Sequence, residues 1–323
     1  MVTTELILHL GASKCSSTFI QSVLRNESVS QWLANEDCKF IENGTKIWED
    51  MSTQCSDTYS NLWESTDSFD AIGDDTLDGY CQQIHDDASQ AGMGKVILSQ
   101  EGFSDLLIFH PAFRQRFVDR VLTPLKQTFT VRVILFIRRQ DQFVESFFSH
   151  VVKRGYGGTL EQFLRILPLA QLSWKNQVNI FKMVSSSNTV ELIPFVPKIM
   201  QKVLGKNVAG AFLSKCGWDI NIENNEQIIN PSSAPDLLEV MSFVNRTLPH
   251  DRAVEINQFL SVNFPKVPGD SFDLLPLRVK SELAQLFDQE NLDLLNTQCP
   301  MFPSDCLSIE TVSAELGEKK DVY

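Results

Sequence analysis

Residues 5–24 read ELILHLGASKCSSTFIQSVL. ELILHL is short, apolar and bounded by Gly11, the pattern of a buried strand; residues 15–26 then carry Phe19, Ile20, Val23 and Leu24 at helical spacing. The unit is a strand, a tight loop and a helix. Moving outward, KVILS (95–99) is a second buried strand followed by the polar turn QEGFS. TVRVILFI (130–137) gives the strongest strand signal, a β-branched and apolar run broken by Arg138, Arg139, Gln140 and Asp141. TVELIP (189–194) is a fourth strand, ended by Pro194 and Pro197.

Between and after these strands the periodicity predicts helices over 76–91, 111–121, 198–216, 235–247, 251–262 and 276–296. Another is capped by Asp141 and buries Phe143, Val144, Phe147, Phe148 and Val151 before stopping at Gly155. Residues 30–75, rich in Asp, Ser, Thr and Trp, read as an irregular insertion with short helices, and the last twenty residues as a mobile tail. Strands alternating with helices imply an α/β fold: a central, mostly parallel sheet flanked by helices as a three-layer sandwich, with helical additions. Such sheets take ligands at the carboxyl ends of their strands. One domain over 1–300 is expected, with 30–90 as an insertion and 301–323 as a C-terminal tail.

A chain of 323 residues with 43% hydrophobic content can bury a large core. No stretch approaches the roughly 20 apolar residues of a membrane span, and no basic residue precedes the first apolar run, so a soluble chain without a signal peptide is expected. The seven cysteines are scattered and never spaced CxxC, which argues against a disulfide framework or structural zinc and for a reducing, cytoplasmic setting. The net charge of −13 is unevenly placed. Residues 31–90 hold fourteen Asp or Glu against Lys39 and Lys46, whereas residues 95–206 hold sixteen Lys or Arg against seven acids. The second region suits an anionic ligand and the first repels one.

GASKCSST (11–18) places small residues, a lysine and four hydroxyls between strand and helix. A helix amino terminus there offers unpaired N–H groups and the positive end of the dipole, a cradle for phosphate. Lys14 lies three residues after Gly11, so the loop is not the GxxxxGK[ST] motif of nucleoside triphosphatases.

HLGASKCSSTFIQ resembles the 5′-phosphosulfate loop of sulfotransferases that use 3′-phosphoadenosine 5′-phosphosulfate (PAPS), a strand, then GxxKTGTT or a close relative, then a helix often containing Leu-Gln. Gly11, Lys14, Ser17, Thr18 and Gln21 match; Cys15 replaces the usual Thr, and Ser16 the usual Gly, removing backbone freedom at that position. RRQDQFVESFFSHVVKRG, which begins at Arg138, resembles the family's 3′-phosphate segment, an Arg followed eight residues later by a Ser; Arg138 and Ser146 have that spacing. SQEGF resembles the SxE segment of bacterial and carbohydrate sulfotransferases, LSW (172–174) an element before the last strand, and FDQEN (287–291) a late helical Asp/Glu-Asn element.

The resemblance implies a P-loop-like nucleotide-binding fold and in-line sulfuryl transfer from PAPS to an acceptor hydroxyl or amine, leaving 3′-phosphoadenosine 5′-phosphate (PAP), with no metal required. The donor would meet Gly11, Ala12, Ser13, Lys14, Cys15, Ser16, Ser17, Thr18, Arg138 and Ser146. Lys14 and the loop N–H groups would stabilise charge on the leaving group. Glu101 is the favoured base and His110 its rival, with Ser99 placed to orient the acceptor or touch the donor. His150 reads as structural and His9 as core. Cys15, beside Lys14 at a helix terminus, is expected to be a stabilised thiolate sensitive to alkylation. The acceptor is expected to be a carbohydrate or small hydroxylated metabolite met near 30–90, whose acidity disfavours a polyanion. The competing readings are a nucleotide-dependent kinase and a non-catalytic nucleotide-binding protein of the same fold. A nucleic-acid partner is not expected, since no stacking-aromatic module accompanies the basic residues.

Overall fold

The structure, a computed structural model, describes residues 3–11, 15–41, 72–100, 103, 108, 110–220, 222, 234–264 and 274–309. Its core is an all-parallel sheet of β1 (Glu5–Gly11), β2 (Cys38–Ile41), β3 (Lys95–Ser99), β4 (Thr130–Ile137) and β5 (Glu191–Pro194). The strand order is β2-β3-β1-β4-β5. The central strands β1, β3 and β4 are buried along most of their length, which is why they read as continuous apolar runs rather than alternating ones.

Parallel strands need crossovers, and helices supply them. From β1, α1 (Ser17–Arg25) and α2 (Glu27–Asn35) lead to the edge strand β2, and α3 (Asp74–Gln90) precedes β3. The crossover from β3 to β4 is α4 (Pro111–Phe117), a π-turn (Val118–Leu122) and α5 (Thr123–Thr128). Between β4 and β5 come α6 (Gln140–Lys153), α7 (Leu160–Ile166), a 3₁₀ turn (Leu169–Leu172) and α8 (Trp174–Val184). After β5 follow α9 (Pro197–Leu204), α10 (Val208–Lys215), α11 (Pro235–Thr247), α12 (His250–Asn263) and α13 (Leu277–Gln298). The β1–β2 connection runs one way across the sheet and the later ones run the other, so right-handed crossovers put helices on both faces. The packing agrees: α1 meets α10, which also touches β5, whereas α8 lies against β4 and α5, and α3 against the π-turn. The result is the expected three-layer α/β sandwich.

Four expectations are corrected. The supposed irregular insertion, where short helices such as α2 were expected, also contributes the strand β2 at 38–41; residues 42–71 lie outside the described residues. The helix expected over 198–216 is two helices, because Gly205 takes φ 64° at the end of α9. Asp141 does not cap α6: Arg139 holds the cap position, and the Asp141 carboxylate instead accepts two hydrogen bonds from its guanidinium at 2.9 and 2.7 Å. The beginning of the C-terminal segment is not loose, since Phe302, Cys306, Leu307 and Ile309 are buried in the core; residues 310–323 lie outside the described residues. Gly155 ends α6 as expected. It has φ 107°, and a β-carbon there would lie 2.6 Å from His250 Cε1 at the start of α12.

Candidate functional site

The chain leaves β1 for one edge of the sheet, returns through β3, and crosses to the other side at β4. The segments following β1 and β4 therefore leave neighbouring strands at the same end of the sheet, the switch point where doubly wound sheets hold ligands. Register fixes the offset. Gly11 pairs with Phe136, so the first residue of the small-residue loop stands two positions short of Arg138 on the adjacent strand.

Ala12, Ser13, Lys14 and Glu101 lie outside the described residues. On the far side of the loop, Cys15 is buried and Ser16 occupies the N-cap position of α1 with φ 64° and ψ 27°. That left-handed conformation is open to glycine and costs other residues about 1 kcal/mol. Ser16 thus follows a backbone path suited to the glycine that the resemblance leads one to expect there. Ser17 opens the helix and is buried, with no hydrogen-bond partner for its Oγ among the described residues, while Thr18 is exposed. A β-carbon on Gly11 would lie 3.7 Å from Ser17 Oγ and 3.9 Å from His9 Nε2. The position left empty by the glycine's missing side chain is therefore bordered by two buried polar atoms and by Phe136 Cβ at 3.7 Å.

Across from this loop, the guanidinium of Arg138 lies 5.6 Å from the centre of the Phe195 ring. Desolvation lowers its pKa, and the neighbouring Cys15, Asp141 and Glu145 act in the opposite direction. The loop cysteine is therefore within electrostatic reach of the arginine, which remains a cation at neutral pH. Ser146 is buried on α6, two turns further on. Its neighbour Glu145 is also buried and accepts hydrogen bonds from the backbone N–H groups of Leu274 (3.0 Å) and Leu275 (3.1 Å), with Lys280 Nζ at 3.5 Å. These contacts tie α6 to the start of α13.

LSW and FDQEN, far apart in sequence, meet behind Arg138. Trp174 is fully buried and donates its indole N–H to the Arg138 carbonyl at 2.6 Å. Ser173 donates to Glu290 at 2.7 Å, and the Lys175 N–H donates to the same carboxylate at 3.1 Å. Asn291 and Gln140 exchange side-chain amide hydrogen bonds at 2.8 and 3.2 Å, and Asp288 accepts from the Ile309 N–H at 3.0 Å. The end of β4 is thereby clasped by α8, α13 and the segment that follows α13.

His9 and Ser99 are directly paired across β1 and β3. His9 Nδ1 lies 2.7 Å from Ser99 Oγ, and Gln21 on α1 donates to both Ser99 Oγ and the Ser99 carbonyl at 3.3 Å. The imidazole packs between Phe136 and Phe212, and burial pushes its pKa down to about 3. His9 is a core residue as expected, but it is also hydrogen-bonded into the end of the loop-bearing strand, which sequence reasoning did not anticipate. Its only sequence signal is a lone polar residue inside an apolar strand.

His110 stands at the N-cap position of α4, buried, with its pKa lowered to about 4 by desolvation, so its imidazole is neutral at physiological pH. His150 is half-buried in the last turn of α6 beside the Phe147 ring. Cys15, expected to be reactive, is buried at 1% exposure, which sets its sulfur apart from bulk reagent. The acidic block is in part answered by the basic one. Asp74 pairs with Arg116 and Arg120 at 2.8 Å, and Asp78 with Arg120 at 3.1 Å, joining α3 to α4 and the π-turn. These acids therefore do not stand alone as a repelling surface.

Among the described residues no group of three or more His, Cys, Asp or Glu side chains is placed to hold a metal ion, and no helix is long and apolar enough to cross a membrane. No protein-family model, curated protein or solved structure matches the chain.

Proposed function

We propose that this protein is a sulfotransferase that moves a sulfuryl group from PAPS to a hydroxyl, or an amine, of a carbohydrate or small hydroxylated metabolite. The observation that carries the reading is the pairing of Gly11 with Phe136: the strand ends that lead into the small-residue loop and to Arg138 are neighbours at the switch point of the sheet, where such folds take ligands. The residues fit a nucleotide bearing two anionic ends. Gly11 leaves room beside Ser17 Oγ, which has no partner among the described residues, and Arg138 offers a planar cation next to an aromatic ring.

When bound, PAPS supplies an activated sulfuryl group and a phosphate leaving group, the chemistry of an in-line displacement. Lys14 and the N–H groups at the start of α1 stabilise negative charge at the loop. Arg138 and Ser146 hold the 3′-phosphate, Arg138 being kept in place by Trp174 and the helices around it. Glu101 or His110 takes the acceptor proton; His110, neutral at physiological pH, has the protonation state a base requires. The protein works in the reducing cytoplasm without a metal, and the net acidity of 31–90, only in part answered by Arg116 and Arg120, disfavours polyanionic acceptors. The test is to incubate the protein with PAPS and a panel of sugars and small alcohols and to follow PAP release. Acceptor-dependent release that falls at least a hundredfold in Lys14→Ala supports the reading; phosphoryl transfer from ATP with magnesium, and none from PAPS, replaces it with the kinase.

A further inference from the structure

We infer that His9 donates its Nε2–H, together with the Ser17 hydroxyl, to an oxyanion held beside Gly11, as a neutral donor pair supplementing the charge of the loop. The inference rests on the reading that this loop binds a phosphate or sulfate group. Gln21 Nε2 donates to the Ser99 carbonyl, which can only accept, and this fixes the amide orientation. The same nitrogen also donates to Ser99 Oγ, which keeps its own proton to give, and His9 Nδ1, 2.7 Å away, is the acceptor that the inference assigns to it. A bare Nδ1 on a neutral ring leaves the proton on Nε2.

His9 Nε2 and Ser17 Oγ are both buried without a hydrogen-bond partner among the described residues, and both lie within 4 Å of the position that a Gly11 β-carbon would take. Two orphan polar atoms this deep are costly unless something hydrogen-bonds to them. An oxyanion suits them, because it accepts from both at once. Burial keeps the imidazole neutral even in mild acid, so the donor carries no charge that would demand compensation when the site is empty. In this arrangement Ser99 and Gln21 are positioning residues: they set the histidine tautomer without touching the ligand.

The tautomer and its response to ligand are read directly by NMR of protein labelled with ¹⁵N-histidine. The five imidazoles are distinguished by comparison with His9→Asn. We expect His9 to carry its proton on Nε2, the Nε2–H resonance to move on saturation with PAP, and Ser99→Ala to mix the two tautomers. His9→Asn should weaken PAP binding by about tenfold or more. A proton found on Nδ1 overturns the inference whether or not PAP binds. So does an unmoved Nε2–H when calorimetry shows PAP bound, an outcome that leaves the sulfotransferase reading intact. A shift with inorganic phosphate but no binding of PAP keeps the inference and removes the nucleotide reading. No binding of either probe overturns both.

Discussion

Trp174 holds the carbonyl oxygen of Arg138 through its indole N–H at 2.6 Å, so the last residues of β4 are fixed by a side chain thirty-six positions later in the chain. A strand end would otherwise be free to fray. Trp174→Phe keeps most of the buried ring and removes only the donor, and it should cost about 1 kcal/mol of stability together with a measurable loss of PAP affinity. Trp174→Ala leaves a cavity as well and should cost about 3–5 kcal/mol. Urea denaturation beside nucleotide titration checks both; unchanged affinity in Trp174→Phe would show that the clasp does not set the position of Arg138.

Ser16 carries the left-handed backbone conformation at the loop's helix end. Ser16→Gly should raise stability by about 0.5–1 kcal/mol, the relief of strain exceeding glycine's larger unfolded-state entropy. Ser16→Val should lower it by more than that. Equilibrium unfolding reads the sign, and a destabilised glycine variant would mean that the serine side chain contributes a contact outweighing the strain.

The two buried histidines make the fold acid-sensitive in a definite window. His9 and His110 have folded-state values lowered from 6.5 to about 3 and about 4 by burial. Above pH 6.5 both are neutral in the folded and unfolded chains alike and contribute no pH dependence. Below it the unfolded chain takes up protons that the folded chain refuses, so stability falls as pH drops, by up to about 1.4 kcal/mol per unit for each histidine. The decline from His110 ends near pH 4 and that from His9 near pH 3. Denaturant midpoints measured between pH 7 and 4 should show a steeper slope in the native chain than in His9→Asn.

The loop thiol should be protected by folding. Cys15 is buried, whereas Cys81 on α3 is partly exposed, so a maleimide should label Cys81 well before Cys15 in the native protein. Peptide mass spectrometry after a short exposure measures this. Faster labelling at Cys15 would restore the picture of an accessible thiolate in the loop.

The sequence made the main strands legible because parallel strands buried on both faces are uninterrupted apolar runs, and TVRVILFI forms β4 at its expected bounds. CKFI escaped notice: it is four residues long, carries the exposed Lys39, and lies at the edge of the sheet amid acidic residues. Whether Leu307 and Ile309 pack or hang free depends on a groove built by other elements, which composition does not describe. The two candidate anion segments were visible because charge and small residues at strand ends contrast sharply with apolar strands. The chain from Gln21 through Ser99 to His9 was not visible, since it depends on the register of β1 against β3, and so does the meeting of Trp174 and Glu290 with the end of β4, which depends on tertiary packing.

Calorimetric titration of the wild-type protein and of Arg138→Ala with PAP, in the absence of magnesium, tests the central proposal most directly. The account predicts micromolar binding to wild type and at least a tenfold loss in Arg138→Ala, as removal of a bidentate phosphate contact requires. No binding of PAP to wild type, with binding of ATP and magnesium instead, would contradict it.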